Sequence, residues 1–477
     1  MTLRELFAPF GLEAPATPVT GVTHDSRRVQ PGFVFVALPG ERHDGHAFVS
    51  DAVARGAAAV VGARELSPGV PYLRLPEGEL RPALARLAAG FYGRPSEKLW
   101  IAGVTGTDGK TTTTFLLHHL LLATGRRAGL IGTVGYDVGA GLVFPEDHFT
   151  TPEAPELQAR LAEMVAGGLS HAVLESSSHA LAQHRLDAVD FDLAVWTHLS
   201  PEHLDFHGDM EGYFRAKAAL VERARLAVLN TACPYAMRLV QRPHLSYGPG
   251  GGFELLEVHE EADGLAFAFS SPEGRFETRL PMLGRYNAEN ALAALAAAYT
   301  AGVSPERATA ELPRFGGVPG RMQIVQTRPF RVVVDFAHTP KGLAATLAAL
   351  SPTTRGRLIV VVGSAGERDP GKRAPLGRVA AERADLAVFT EEDSRSEPVE
   401  EILAAMARGA REAGAREGER YRLEPDRARA IALAFELAGD GDTVVLAGKG
   451  HERTLERADA TLPWDEAALA RRLLGLD

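Results

Sequence analysis

The segment Val104-Thr-Gly-Thr-Asp-Gly-Lys-Thr-Thr-Thr-Thr114 decides the fold of this 477-residue chain. The apolar run Leu99–Val104 leads into it and predicts a β-strand. Gly106 and Gly109 let backbone amides approach phosphate oxygens, and the helix that follows adds its positive end. Lys110 can then reach the β and γ phosphates of a nucleotide. Strand, loop and helix in this order predict a P-loop, although Val104 stands where the standard Walker motif has its first glycine.

The bulk composition is that of an ordinary globular protein, with 45% hydrophobic and 23% charged residues. A formal net charge of −10 gives no sign of nucleic-acid binding. Cys233 is the single cysteine, which excludes an intramolecular disulfide. No signal-peptide pattern opens the chain, and its longest charge-free apolar stretch is too short to cross a bilayer. We therefore expect a cytoplasmic protein with no nucleic-acid or membrane partner.

Lysine is unusually scarce. Of 51 basic residues only six are lysines, namely Lys98, Lys110, Lys217, Lys341, Lys372 and Lys449. Arginine carries the same charge, but its planar fork cannot replace a compact ammonium against a phosphate, nor a group that loses its proton and reacts. The lysines inside motifs are therefore candidates for chemistry. Lys98 and Lys341 are interpreted as surface residues, and Lys372 as either an anion ligand or a surface residue.

The fold class predicted is α/β with three domains. A small N-terminal α/β domain covers residues 1–97, a central P-loop domain with a parallel sheet covers 98–322, and a C-terminal Rossmann-like domain covers 323–477. Apolar, β-branched runs end, each before a polar or glycine-rich segment, at Val104, Leu174, Trp196, Val334, Val362, Thr390 and Ala447. Because ligands of doubly wound sheets bind past the carboxyl ends of the strands, these segments are the candidate sites.

Three polar residues of the central domain are candidates for metal chemistry. Glu175 ends a predicted strand, and a carboxylate suits Mg²⁺, which prefers oxygen ligands. His203 lies near the end of the next strand, but taken alone a histidine there is better explained as a hydrogen-bonding loop or core residue. Lys217 lies on a predicted helix, where a solvated surface lysine is the ordinary interpretation. The residues alone leave these alternatives open.

Several motifs, in order along the chain, resemble the Mur ligases, ATP-dependent amide-forming enzymes of peptidoglycan precursor synthesis. They include T-G-T-x-G-K-T at 105–111, E-x-S-S-H-x-L-x-Q-H-R at 175–185 and L-S-x-x-H-L-D-x-H-G at 199–208. Further matches lie near residue 25 and at 286–290, 319–322, 335–340 and 448–452. The resemblance therefore extends over all three predicted domains, and it is strongest to the MurE branch of the family.

The resemblance implies roles for particular residues. Those expected at ATP are Thr105, Gly106, Thr107, Asp108, Gly109, Lys110, Thr111, Thr112, Asn290, Arg321, Asp335 and His338. Those expected at a UDP-linked substrate are Ser26, His43, Asp44, Thr150, Thr151, Ser177, Gln183 and Arg185. Two Mg²⁺ ions are expected at Thr111, Glu175, His203 and Lys217, the last as a carbamate formed with CO₂. The catalytic set would be Lys110, Glu175, His203 and Lys217. Asp108 departs from the asparagine that is usual in the family.

The activity that the resemblance implies is addition of a diamino acid to UDP-N-acetylmuramoyl-L-alanyl-D-glutamate (UDP-MurNAc-L-Ala-D-Glu) through an acyl phosphate. The chain is expected to act as a monomer. Residues expected at the amino acid are Arg368, Glu392, Asp393, Ser394, Arg395, Gly448 and Glu452. Relatives that take meso-diaminopimelate carry D-N-P-R where this chain has Glu392-Asp-Ser-Arg395. Glu391 and Asp393 add negative charge, which favours L-lysine or L-ornithine over meso-diaminopimelate; a solvated acidic loop is the alternative.

Two other functions compete with this interpretation. A sister ligase, MurF or folylpolyglutamate synthetase, would share the P-loop but is not expected to contain the sequence Ser177–Arg185. A regulatory P-loop protein without ligase activity would leave Glu175, His203 and Lys217 without a joint purpose.

Overall fold

The computed structural model describes residues 1–40, 43–145 and 149–476. The chain forms two compact units. The first contains Met1–Tyr247 and Ala296–Val303, and the second contains Gly248–Leu295 and Ser304–Asp477.

The first unit begins with a four-stranded parallel sheet. Its strands, in sheet order, are β1 (Gly21–Thr23), β2 (Phe33–Val36), β3 (Ala59–Gly62) and β4 (Tyr72–Arg74). Its helices are α1 (Leu3–Phe7), α2 (Val49–Ala54) and α3 (Leu80–Phe91). Leu84 and Leu87 of α3 pack with Val34 and Val36 of β2 in one buried cluster.

A larger sheet in the same unit carries the P-loop. Its order is β11-β10-β9-β5-β8-β6-β7, with β5 (Trp100–Thr105), β6 (Ala128–Ile131), β7 (Tyr136–Asp137), β8 (His171–Glu175), β9 (Leu193–Trp196), β10 (Leu226–Asn230) and β11 (His244–Tyr247). All neighbours are parallel except β6 and β7. Helices α4 (Lys110–Ala123), α5 (Ala154–Ala166), α6 (Ser178–Ala182), α7 (Leu204–His207) and α8 (Met210–Arg223) connect the strands. Because β5 lies between β8 and β9, the loops after these three strands meet at one edge.

The second unit contains an antiparallel meander and a mostly parallel sheet. The meander is β12 (Glu254–Glu261), β13 (Gly264–Ser271) and β14 (Gly274–Leu280). The helix α9 (Tyr286–Thr300) begins in this unit and ends in the first one, and α10 (Pro305–Glu311) lies in the second unit. The sheet order is β15-β16-β20-β17-β18-β19, with β15 (Gln323–Gln326), β16 (Arg331–Asp335), β17 (Leu358–Val362), β18 (Leu386–Phe389), β19 (Tyr421–Leu423) and β20 (Thr443–Ala447). The strand β17 reads Leu-Ile-Val-Val-Val and is buried throughout, as expected for a parallel strand covered on both faces.

Helices cover the second sheet, and a hairpin follows its last strand. The helices are α11 (Pro340–Leu350), α12 (Arg373–Arg383), α13 (Val399–Glu412), α14 (Arg427–Leu437) and α15 (Glu466–Leu473). The hairpin pairs β21 (Thr454–Arg457) with β22 (Ala460–Pro463). Among the described residues no helix is both long and apolar enough to cross a membrane.

The predicted α/β class with parallel sheets is confirmed, and each of the seven predicted strand ends lies within one residue of an observed end. The predicted boundaries near residues 97 and 322 stay predictions.

Candidate active site

The P-loop contains two glycines with positive φ angles. Gly106 has a φ of +146°, and a Cβ there would lie 1.9 Å from the Thr197 hydroxyl oxygen. Gly109 has a φ of +83° and directly precedes α4. The loop is held by the segment after β9, because the Thr107 N–H donates to the His198 carbonyl at 2.6 Å. A tight loop therefore follows β5, and its backbone amides and the start of α4 lie at one edge of the sheet.

Lys110 is the first residue of α4 and curls back over this loop. Its Nζ donates to the carbonyl oxygens of Gly106 at 3.0 Å and Thr107 at 2.7 Å. The ammonium is thereby held above the loop, where nucleotide phosphates bind in P-loops. Asp108, which departs from the family pattern, is exposed.

Glu175 ends β8 next to the P-loop and is completely buried. Its carboxylate accepts hydrogen bonds from the Thr133 N–H at 2.9 Å and the Thr133 and Thr111 hydroxyls at 3.0 Å each. Burial raises the pKa of Glu175 even though these donors oppose the rise. Gly132 has no side chain and so leaves space for the Glu175 carboxylate, since a Cβ at position 132 would lie 2.2 Å from it. The adjacent oxygens of Thr111 and Glu175 are the donors that Mg²⁺ prefers.

Lys217 points from α8 into the same region and is 1% exposed. Its Nζ donates to the Gly106 carbonyl at 2.7 Å and lies 4.7 Å from the centre of the Tyr213 ring. Burial first, and then the charge of Lys110, lower the pKa of Lys217 well below its ordinary value. The interpretation as a solvated surface lysine is therefore wrong.

His203 lies at the start of α7 with a φ of +54°, and its side chain is 45% exposed. Its ring centre is 4.7 Å from that of His179, which also packs on Phe206 at 4.4 Å and His207 at 5.5 Å. Burial, followed by the charges of His203 and His207, lowers the pKa of His179 to about 4. Within the described part of the chain, no three His, Cys, Asp or Glu side chains form a metal-holding group. The predicted metal set contains only Glu175 and His203 of these types, so it stays a prediction.

Five residues predicted for the UDP-linked substrate lie together. The Arg185 guanidinium donates to the Thr151 carbonyl at 2.8 Å and to Gln183 at 2.7 Å. The Thr151 hydroxyl donates to the Glu175 carbonyl at 2.7 Å and accepts from the Ser177 N–H at 3.2 Å. Thr150 is the fifth member of the group. The Thr133 hydroxyl hydrogen-bonds both the Thr150 hydroxyl and the Glu175 carboxylate. The Arg185 Nε is buried and has no hydrogen-bond partner among the described residues, as expected of a group aimed at a ligand.

The three N-terminal candidates occupy separate surroundings. Asp44 caps the turn that follows it and pairs with His46 at 2.6 Å and with Arg64. Ser26 begins a short 3₁₀ turn capped by Asp25, and His43 is exposed. The Asp44 carboxylate is thus engaged by the protein itself.

One ion-pair chain connects the N-terminal sheet to the Arg185 group. Arg81 of α3 lies 3.7 Å from Glu153, whose other oxygen lies 3.0 Å from Arg185. His24, at the end of β1, is buried nearby; burial lowers its pKa, and Glu153 opposes this. Nothing in the local sequence signals Glu153 or Arg81, because their partners are distant along the chain.

In the second unit, three residues predicted for the nucleotide surround Phe336. The Arg321 guanidinium lies 4.7 Å from the centre of the Phe336 ring, and the His338 ring bonds the Phe336 carbonyl at 2.9 Å. Asp335 ends β16 and accepts from the N–H groups of Met322 at 2.8 Å and Ala337 at 3.0 Å. The fourth, on α9, is Asn290, which donates to Asn287 at 2.9 Å.

The predicted amino-acid segment Glu392–Arg395 follows β18, and its first three residues are buried. The interpretation as a solvated acidic loop is therefore wrong. The negative charges of Glu391 and Asp393 are both paired, because Arg457 binds Glu391 at 2.6 Å and Lys449 binds Asp393 at 2.8 Å.

Glu392 is the exception in this segment. Burial raises the pKa of Glu392, and its Oε2 has no hydrogen-bond partner among the described residues. Gly448 leaves this oxygen open, since a Cβ there would lie 3.3 Å from it. Glu452 pairs with Lys449 at 2.7 Å, whereas Arg368 is exposed.

Lys98 and Lys341 are exposed, as predicted for surface residues. The Lys372 Nζ donates to the His338 carbonyl at 3.2 Å, and both interpretations of Lys372 stay open. Lys449, to which the sequence assigned no role, is fully buried between Asp393 and Glu452.

Three family models match successive parts of the chain. The model "Mur ligase family, catalytic domain" matches residues 18–92, "Mur ligase middle domain" matches 104–298, and "Mur ligase, glutamate ligase domain" matches 320–450. The matched residues include the P-loop, Glu175, Lys217 and most of the second unit.

Relatives extend along the full length of the chain. A UDP-N-acetylmuramyl-tripeptide synthetase of Deinococcus radiodurans is 50% identical, covering 99% of this chain and 99% of its own. A UDP-N-acetylmuramoyl-L-alanyl-D-glutamate–2,6-diaminopimelate ligase of Gloeobacter violaceus is 42% identical, covering 99% and 98%. A solved structure of a ligase with that same diaminopimelate name superposes with a TM-score of 0.71 at 32% identity, covering 100% of this chain and 99% of its own. The chain therefore belongs to the Mur ligase family and is an ATP-dependent amide-bond ligase.

Proposed function

We propose that this ligase adds a diamino acid to UDP-MurNAc-L-Ala-D-Glu, with L-lysine or L-ornithine favoured and meso-diaminopimelate as the alternative. The observation that carries the proposal is the contact of the buried Lys217 with the P-loop carbonyl of Gly106 at 2.7 Å. A lysine whose pKa is lowered by burial supplies the neutral amine that carbamate formation requires. A regulatory P-loop protein would have no use for such a group.

The first chemical step transfers the γ phosphoryl group to a substrate carboxylate. Catalysis of this step is mostly positioning and neutralisation of charge. Lys110 lies over the P-loop and balances the phosphate charge, while the loop amides and the start of α4 hold the phosphates. Arg185, with its buried and unpartnered Nε, orients the UDP-linked substrate beside Thr151 and Ser177. Asn290, Arg321, Asp335 and His338 are proposed to contact the nucleotide.

Thr111, Glu175, His203 and carbamylated Lys217 would hold Mg²⁺, which neutralises the charge that develops on the transferring phosphoryl group. The fit of this set to the ion rests on its oxygens. Thr111 and Glu175 already share a hydrogen bond at 3.0 Å, and a carbamate would add a further anionic oxygen beside Gly106. Arginine at position 217 could not supply that group.

The second step is attack of the amino acid's amine on the acyl phosphate, which releases phosphate. The open, buried Oε2 of Glu392 is a suitable partner for the distal ammonium of a diamino acid. We assign the same amino-acid site to Arg368, Asp393, Ser394, Arg395, Gly448 and Glu452. We also propose that the enzyme is monomeric and cytoplasmic and that its three domains cover residues 1–97, 98–322 and 323–477.

The test is phosphate release from ATP, measured with UDP-MurNAc-L-Ala-D-Glu and, in parallel, L-lysine, L-ornithine and meso-diaminopimelate. Turnover should need both the UDP-linked acceptor and an amino acid. Phosphate release that continues when the UDP-linked acceptor or the amino acid is omitted would refute the ligase proposal. Turnover with meso-diaminopimelate but with neither L-lysine nor L-ornithine would refute the preference for a simple diamino acid.

A further inference from the structure

Arg395 has every nitrogen of its guanidinium facing an oxygen of the protein. Its Nε donates to the Glu456 carboxylate at 2.7 Å, and Nη1 donates to the Gly366 carbonyl at 2.7 Å. Its Nη2 lies 4.0 Å from the Asp393 carboxylate. The backbone N–H of Arg395 also donates to the Glu456 carbonyl at 3.1 Å. The guanidinium is thus held from two sides before any ligand binds.

Glu456 lies on β21, and its position does not depend on the ion pair alone. Its backbone N–H donates to the Asp393 carboxylate at 2.9 Å. The next residue, Arg457, binds both oxygens of Glu391, at 2.6 and 2.9 Å. Contacts of the Glu456 backbone and of Arg457 therefore hold the hairpin against the segment from Glu391 to Arg395. Its carboxylate is presented to Arg395 by the fold.

The cations of this cluster, Arg395, Lys449 and Arg457, each have a carboxylate partner. Lys449 forms ion pairs with Asp393 and Glu452, and Arg457 forms one with Glu391. A ligand carboxylate that approached Arg395 would compete with Glu456 for the guanidinium and would meet the negative charges of Glu456 and Asp393. Displacement of Glu456 would also leave a partly buried carboxylate without its partner, which is costly. A ligand ammonium meets neither obstacle.

We infer that Glu456 is a positioning residue for substrate selection: its carboxylate occupies Arg395 and withholds that guanidinium from a second carboxylate on the amino acid. The site accordingly takes diamino acids that carry one carboxylate and discriminates against those that carry two. This inference rests on the proposed ligase function and gives its amino-acid site a physical basis for selection.

The test compares Glu456→Gln and Glu456→Ala with the unmodified enzyme. Phosphate release is measured with UDP-MurNAc-L-Ala-D-Glu and either L-lysine or meso-diaminopimelate, and kcat and KM are separated. We expect the ratio of kcat/KM for meso-diaminopimelate to that for L-lysine to rise by about tenfold to a hundredfold, the range for one gained charge-assisted hydrogen bond. The gain should lie mainly in KM for meso-diaminopimelate. A purely structural role would lower both values together.

The matched control is Asp459→Asn, which removes an exposed carboxylate from the turn of the same hairpin and should leave the ratio unchanged. An unchanged ratio in both Glu456 variants would overturn the inference and leave the ligase function intact. Efficient use of meso-diaminopimelate by the unmodified enzyme, or loss of turnover with both amino acids in both variants, would also overturn it. If the unmodified enzyme forms no product with L-lysine, L-ornithine or meso-diaminopimelate, the proposed function itself fails.

Discussion

Replacement of Lys217 by arginine tests whether the buried lysine beside the P-loop works as a carbamate or as a cation. Its side chain is 1% exposed, and its Nζ lies 2.7 Å from the Gly106 carbonyl. Burial and the nearby charge of Lys110 lower the pKa of Lys217, so the neutral amine is available to react with CO₂. A guanidinium keeps its proton and cannot form the carbamate. The variant keeps a positively charged side chain at this position and removes the capacity to form a carbamate.

The expected loss of kcat is at least about a hundredfold. Changing a partner of a metal ligand costs roughly 10–100-fold in activity or metal affinity, and the loss of a direct anionic ligand should cost no less. Arginine is also longer than lysine in a site that is already closed, which should lower the free energy of unfolding by about 1–3 kcal/mol. A protein that remains folded but inactive is therefore the predicted outcome.

The assay is phosphate release at saturating ATP and Mg²⁺, with thermal unfolding measured on the same samples. Lys341→Arg is the matched control, because Lys341 is exposed and the substitution is the same. Mass spectrometry under CO₂ should show the added mass of one CO₂ on the unmodified chain and none on the Lys217→Arg variant. If Lys217→Arg kept the unmodified kcat, the carbamate would be refuted and a simple phosphate-binding cation would replace it.

Three further outcomes are expected. Glu175→Gln should lower kcat at least about a hundredfold and raise the Mg²⁺ concentration needed for half-maximal activity, yet leave thermal stability equal or higher, because a neutral amide suits the buried site better than a carboxylate does; unchanged Mg²⁺ dependence would contradict this. Gly106→Ala should abolish nucleotide binding in an equilibrium titration, since its Cβ would lie 1.9 Å from the Thr197 hydroxyl oxygen; retained binding would contradict the loop geometry. Arg427→Met should lower the free energy of unfolding by about 3–5 kcal/mol in a denaturant titration, because it leaves the fully buried Glu466 without its ion-pair partner; a loss below about 1 kcal/mol would count against that.

The sequence pattern was sufficient to predict local structure wherever a few neighbouring residues determine it. The strand before the P-loop, the glycines of the loop and the carboxylate at the end of β8 are each encoded within a few neighbouring residues. The burial of Lys217 was also readable. It lies on α8 between Tyr213, Phe214, Ala218, Leu220 and Val221, which recur at helical spacing and form the buried face. A lysine within such an apolar stripe indicates a buried amine.

The charge pairing of the amino-acid segment was not readable in the same way. Asp393 and Lys449 are 56 residues apart, and Glu391 and Arg457 are 66 apart. No local periodicity connects them, because the contact depends on which strand of the sheet each loop follows. The sum of these charges treats Glu391 and Asp393 as free, whereas both are paired, and the preference for L-lysine or L-ornithine stays a prediction. The relevant quantity is which carboxylate keeps an open oxygen, and that is Glu392.

The scarcity of lysine has a physical explanation at the two buried positions. Lys449 is fully enclosed, with Asp393 at 2.8 Å and Glu452 at 2.7 Å from one Nζ. A single compact ammonium can satisfy both carboxylates there, whereas a guanidinium needs a wider, planar space. The carbamate proposed for Lys217 would need the opposite property, an amine that gives up its proton in a buried site. Arginine satisfies neither requirement, which accounts for lysine at both positions in a chain that otherwise uses mostly arginine.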